Sequence, residues 1–320
     1  MTQTRRPQQP DQPRPTARTN SMTATLSVLF AMTTAGNVSA MAVADASMES
    51  TYSSLAQRAV DIYNSGKGTG LDGRCWIGIA GSPGAGKSTL ASAVADIICE
   101  TQSDGPKAVA IPMDGYHYTR AKLAELAQPH DQSNGISRRG APWTFDSEAL
   151  VADLAQAKLT GKASLPEYDR ALSDPIPNAV ELDLSHGIIL VEGNYLLLDL
   201  LQAEVCTDGS NVPVLGSNLD AANKDLLCPV PIGEEIRRWR GTSALWDDTW
   251  FVSPPGDAVE TLRKRLIERS LVTWSKAKTQ AWGGGTDRQA ATKRAEFNDV
   301  RNARLVECCR SFANLVVDSI

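Results

Sequence analysis

The 320-residue sequence lacks a C-x-x-C pair, an Asp-x-x-Gly tetrapeptide, a basic surplus and a long apolar run, and each absence excludes something. Its six cysteines are scattered except for the adjacent Cys308 and Cys309, and none of the three histidines stands beside them at zinc-ligand spacing. A structural zinc site is therefore excluded. The cysteines read as reduced, mostly buried thiols, with a Cys206–Cys228 disulfide as the alternative left open. A net charge of −5 gives no support to a nucleic-acid partner. No apolar stretch approaches the roughly 18 residues of a membrane helix, so no membrane partner is expected. A GTP-hydrolysing switch would need Asp-x-x-Gly, and Leu226 stands where the base-reading run Asn223-Lys224-Asp225 would continue to an acid.

What is present begins with enough apolar matter for a core, 42% of residues. Residues 1–47 differ in kind, being rich in Pro, Gln, Thr and Ala, with Arg5, Arg6, Arg14 and Arg18 but only Asp11 as an acid before Asp45. The expected division is an N-terminal extension over 1–50, either a disordered tail or a targeting segment, followed by a folded domain over 51–320. Met48 is a second plausible start for the folded part. The cytoplasm is the expected compartment, and the arginine bias leaves the mitochondrion open. Oligomeric state is not legible, and a homodimer stays open.

Five apolar or β-branched segments read as strands: 75–80, 108–113, 187–193, 249–253 and 314–320. Helical patterns alternate with them. Leu90, Val94, Ile97 and Ile98 form one stripe. Asp146 is an expected N-cap for a helix closed by Gly161, and Asp257 with Glu260 has the spacing of a capping box. Strands alternating with helices predict an α/β fold with a mostly parallel, doubly wound sheet, whose ligand lies at the carboxyl ends of the strands. Residues 202–241, with Gly, Pro and Asn turns, are expected to form a surface insertion.

"GSPGAGKST" over 81–89 carries the clearest chemistry. Gly81, Gly84 and Gly86 let the backbone curl around Ser82, Pro83 and Ala85, so that N–H groups and a helix N-terminus face phosphate. Lys87 then reaches the β- and γ-phosphates, and the Ser88 hydroxyl joins a Mg²⁺ shell, with Thr89 following. Asp114 lies just past the second strand and Glu192 at the tip of the third, so both project onto the rim that carries the phosphate loop. One carboxylate can help hold Mg²⁺ while the other takes a proton from an attacking hydroxyl. A motor ATPase usually ends such a strand in Asp-Glu, whereas Glu192 is followed by Gly193. Arg265 and Arg269, four residues apart on a basic helix, would share one side as a lid over the transferring group, with Arg263 and Lys264 on a solvated face.

Taken in order, "GSPGAGKST", "PMDGYH", "RRGAPWTFD", "PEYDRALSDP", "VEGNYLLLD", "WDDTWFV", "RLIER" and "NDVRNARLV" resemble the phosphoribulokinase/uridine kinase/pantothenate kinase family of P-loop kinases. The likeness is strongest to the nucleoside/nucleotide-kinase-like branch that includes bacterial sugar-transport-associated kinases and a fungal ATP-dependent kinase group. It spans roughly residues 52–320. The resemblance implies a three-layer α/β/α P-loop fold with a helical lid, using ATP and Mg²⁺. It implies Asp114 as catalytic base, Lys87, Arg265 and Arg269 as charge stabilisers, and Ser88 with Glu192 at the metal. Tyr168 and Asp169 are implied near the acceptor, with Arg170 a further neighbour and Arg139 as a substrate or phosphate contact; His117, one of three histidines, is expected among the substrate-binding residues in a fixed, neutral hydrogen-bonding role. The implied activity is transfer of the γ-phosphate of Mg-ATP to a hydroxyl of a small nucleoside-, sugar- or pantothenate-like metabolite. Two alternatives stand beside it: a uridine/cytidine kinase, and an ATP-binding regulator or slow ATPase.

Overall fold

The computed structural model describes residues 35–126, 138–201 and 236–320, with side chains from residue 48 onward. Expectations that fall on residues 1–34 and 202–235, including the Cys206–Cys228 pair, lie outside the described residues. Residues 43–320 form one compact unit, and of residues 1–42 the described part, 35–42, is helical.

The sheet is built from β1 (Cys75–Gly81), β2 (Lys107–Pro112), β5 (His186–Gly193), β6 (Asp248–Ser253) and β7 (Leu315–Asp318), in the order β2-β5-β1-β6-β7. Every pairing in it is parallel. β1, β5 and β6 sit in the middle because their central residues are apolar and nearly the whole of each strand is buried on both faces, as a sheet covered on two sides requires. Chain leaving β1 goes to β2 on the far side of β5, whereas β6 and β7 extend the other edge. The carboxyl end of β1 is thus the point where strand order reverses, and a crevice opens there.

Side chains alternate across β1. Trp76 and Ala80 enter one core with Leu150 and Leu154 of α4 (Ser147–Thr160) and with Phe145, Tyr195 and Phe251. Ile77 and Ile79 enter the opposite core with Leu55 and Val60 of α1 (Ala35–Asn64). Leu90, Val94 and Ile98 of α2 (Lys87–Thr101) and Leu262 and Leu266 of α5 (Ala258–Val272) complete that second core. This is the three-layer arrangement. Asp146 caps α4 by accepting from the Ala149 N–H at 3.0 Å, and Gly161 closes it in the left-handed region at φ 72°. Such a cap is worth about 1 kcal/mol.

Three expectations need correction. The first concerns a missed hairpin. β3 (Ala163–Asp169) and β4 (Asp174–Leu182) pair antiparallel beside the main sheet. Pro166, Pro175 and Pro177 hid it, since proline cannot donate to a ladder, and the register shifts between Leu165 and Glu167, around Pro166. Leu165 and Leu182 anchor the hairpin in the core. The second concerns 236–241, the end of the stretch read as an insertion. Trp239 is fully buried against Tyr195 and Phe145, with ring centroids 5.2 and 5.9 Å apart, and Ile236 joins it in the core, while Arg237, Arg238 and Arg240 stay on the surface. The third concerns α5. Asp257 accepts from the Glu260 N–H at 3.0 Å, but the Glu260 carboxylate turns to Arg263 and Lys264 instead of returning to the cap. The reciprocal capping box belongs to Thr286 and Gln289, at the start of α7 (Asp287–Phe297).

Candidate active site at the carboxyl ends of the strands

The phosphate loop leaves β1 at Gly81 and enters α2 at Lys87. Gly86, with φ 94°, takes the left-handed conformation that turns the loop into the helix and leaves the first N–H groups of α2 pointing outward. Ser82 turns its hydroxyl away from the cradle. It donates to Glu307 Oε1 at 2.8 Å, on α8 (Asp299–Glu307), and lies 3.2 Å from the Ala303 carbonyl. Glu307 Oε2 accepts from Ser253 at 3.0 Å, at the end of β6. One carboxylate therefore ties the loop to the neighbouring strand end.

Lys87 is buried, with Nζ donating to the Ser82 carbonyl at 3.1 Å and to Asn194 Oδ1 at 2.8 Å. Burial pushes its ammonium below the usual lysine range, against the opposing pull of Glu192 and Asp114. Burial likewise raises the Glu192 carboxyl, with the Lys87 charge opposing. Ser88 Oγ donates to Glu192 Oε1 at 2.7 Å. Asn194 was missed from sequence; its only signal is its place two residues after Glu192 in "VEGN".

Asp114 lies in a short turn, Met113–Tyr116, that continues β2. A Cβ on Gly115 would stand 2.1 Å from the Pro166 carbonyl, so only glycine lets β3 lie against this turn. The Asp114 carboxylate is 39% exposed, whereas only 10% of the His117 side chain behind it is exposed. His117 Nδ1 lies 2.8 Å from the Asp114 carbonyl, and its ring packs against Phe145 and Tyr168 at 4.0 and 4.8 Å. Burial lowers its pKa, which favours the neutral imidazole.

A two-lobed cleft joins these parts. One lobe, of about 440 Å³, is lined by Pro83, Gly84, Lys87, Thr89, Arg265 and Arg269. The other, of about 260 Å³, is lined by Ala91, Ser92, Ala110, Pro112, Glu167 and Tyr168. Ser88, Asp114, Arg170 and Glu192 line both. Arg265 is steadied by Ser319, whose hydroxyl it approaches to 3.1 Å. Arg263 instead pairs with Glu296 and Glu260, on the surface of α5.

Three expected acceptor-site residues stand outside the lining. Arg139 holds the β3–β4 turn through the Ser173 carbonyl, the Tyr118 carbonyl at 2.8 Å and Asp174 at 2.9 Å, and its guanidinium lies 5.2 Å from the Tyr168 ring centre. Asp169 caps the same turn by accepting from the Ala171 and Leu172 N–H groups at 2.6 and 3.0 Å. His117 also lies behind the lining. Arg170 and Glu167, by contrast, face the cleft.

The loop, its helix N-terminus and Lys87 suit a polyphosphate. Among the described residues no cluster of three or more His, Cys, Asp or Glu side chains could hold a metal by itself. The Ser88–Glu192 pair suits Mg²⁺, which keeps several waters and takes further oxygens from phosphates.

Comparison with known proteins agrees with this geometry, although no protein-family profile matches the chain. It is similar to a uridine kinase-like protein of Schizosaccharomyces pombe, 35% identical over 158 residues, which are 48% of this chain and 63% of that protein. It therefore spans less than two thirds of that relative's length. It is similar to an ATP-dependent kinase-like protein of Aspergillus versicolor, 30% identical over 166 residues, 50% of this chain and 72% of that protein. Among solved structures it resembles one named for a fructose transport system kinase from Silicibacter sp., with 28% identity and a TM-score of 0.54, covering 77% of this chain and 91% of that one. The strand order, the phosphate loop and these relatives together show that the chain belongs to the family of P-loop kinases that includes ATP-dependent kinase-like, uridine kinase-like and pantothenate kinase proteins.

Proposed function

We propose that the protein is a small-metabolite kinase that transfers the γ-phosphate of Mg-ATP to an alcohol. The observation that carries this is the shared lining: Asp114 and Glu192 both border the phosphate lobe and a second, acceptor-sized lobe. A hydrolase or a nucleotide-holding regulator has no need of that second lobe.

In this proposal Mg-ATP is the phosphoryl donor, and Mg²⁺, when bound, would neutralise phosphate charge. Ser88 and Glu192 hold the metal side. Asp114 accepts a hydrogen bond from the acceptor hydroxyl and takes its proton as the new O–P bond forms and the bond to the leaving ADP breaks. Lys87, Arg265 and Arg269 bring fixed positive charge to the transferring group, and the loop N–H groups hold the β-phosphate. Arg170, reaching in from the hairpin, adds a cation at the boundary between the lobes.

The test follows label from [γ-³²P]ATP. Label is expected on an organic acceptor, with Lys87→Ala reducing turnover by about 10² or more. Label found only in inorganic phosphate, whatever hydroxyl compound is added, would replace this reading with the slow ATPase.

A further inference from the structure

Charge is divided unevenly between the lobes. The phosphate lobe holds Lys87, Arg265 and Arg269. Residues lining only the acceptor lobe include no cation among those described, and they add the carboxylate of Glu167. Arg170 faces both lobes, and the Glu192 carboxylate beside it partly offsets its charge. Mg-ATP is itself net negative, so its arrival leaves the acceptor lobe no more hospitable to an anion.

The hydrogen-bonding capacity of the lobe points the same way. Ionised carboxylates only accept, so Asp114 and Glu167 call for a ligand rich in donors. The Ser92 hydroxyl can donate or accept. The walls between are small, namely Ala91, Ala110 and Pro112. Tyr168 is the aromatic residue of the lobe, and its ring is already engaged by His117 at 4.8 Å and Arg139 at 5.2 Å. It offers a nucleobase poor stacking.

Resting on the kinase reading above, we infer that the acceptor is an uncharged, non-aromatic polyhydroxy compound of sugar or polyol type, gripped by Glu167 while Asp114 engages the hydroxyl that is phosphorylated. Glu167 selects by attraction for hydroxyl donors and by repulsion of carboxylates and phosphates. It lies on the exposed side of β3, so its replacement leaves the core untouched.

The experiment measures label transfer from [γ-³²P]ATP by the full chain to three groups of probes. The first is neutral: glycerol, ribitol, D-ribose and D-glucose. The second is anionic: D-glycerate, pantothenate and ribose 5-phosphate. The third is nucleosidic: uridine and cytidine. The best neutral probe is expected to exceed every anion and nucleoside in kcat/KM by about tenfold or more, the discrimination a hydrogen-bonding site commonly reaches. Glu167→Gln should raise the KM for that probe by about tenfold while the KM for ATP stays unchanged, a split that a structural role would not produce. Preferred transfer to an anion or a nucleoside, or an unchanged acceptor KM in Glu167→Gln, overturns the inference and leaves the kinase reading standing. Absence of transfer to every probe, with only inorganic phosphate released, overturns both.

Discussion

At the scale of single residues, the site depends on charges held where water would not leave them. Lys87 is buried beside Glu192 and Asp114, and burial wins over their attraction in setting its pKa. The direction has a consequence for binding. The ammonium is the form that meets phosphate, and its charge is lost at a lower pH than the 10.5 of a solvated lysine. ATP affinity should therefore fall as pH rises, beginning before the ordinary lysine range. Isothermal titration of Mg-ATP across alkaline pH checks this. Affinity that stays flat up to pH 10.5 would show that Lys87 keeps its proton and that its buried surroundings have no such effect. His117 shows the opposite economy of charge. Largely buried and favoured as neutral, with its ring nitrogen on the Asp114 carbonyl, it fixes the turn that presents the Asp114 carboxylate, the proton acceptor of the proposed transfer.

At the scale of elements, the phosphate loop is fastened from behind. α8 brings Glu307 to Ser82 and Ser253 together, and burial raises the Glu307 carboxyl above its ordinary range. Both partners are hydroxyls that can reorient, so an amide can replace the carboxylate with little loss of geometry. Glu307→Ala should raise the KM for ATP by about tenfold through a displaced loop, while Glu307→Gln stays within about threefold of wild type. Equal KM values for ATP in wild type and Glu307→Ala would show that the clamp does not position the loop. Little of this was legible beforehand. Glu307 lies 225 residues from Ser82 in sequence, and no local pattern announces so distant a contact. The hairpin was equally hidden, because the prolines that argue against a strand sit at the bulge of β3 (Pro166) and at half-buried and exposed positions of β4 (Pro175 and Pro177). The phosphate loop and the five strands were readable for the opposite reason: glycine spacing and doubly buried apolar runs are local consequences of local geometry.

At the scale of the whole molecule, the reversal of strand order beside β1 gathers residues from five separate segments onto one rim: the loop, the turn after β2, β3, the end of β5, and α5. The sequence alone located Asp114 and Glu192 on that rim, because the carboxyl ends of parallel strands must share it. It could not sort "PEYDR" into residues that face the cleft and residues that hold the turn, since that depends on the twist of a hairpin it did not contain as a readable pattern. So Glu167 emerged from the structure, Arg170, a further neighbour of the acceptor by expectation, lines both lobes, and Asp169 and Arg139 moved to supporting positions. No described helix is long and apolar enough to cross a membrane.

The proposed transfer chemistry stands or falls with Asp114, the carboxylate that borders both lobes outside the Ser88–Glu192 pair. Asp114→Asn keeps the shape and removes the proton acceptor. The decisive measurement is single-turnover phosphoryl transfer by this variant alongside its affinity for Mg-ATP. Transfer slowed by about 10² or more with ATP affinity preserved is the predicted result. Transfer at a near-normal rate would contradict the role of Asp114 as base and, with it, the proposed division of the cleft into a donor and an acceptor side.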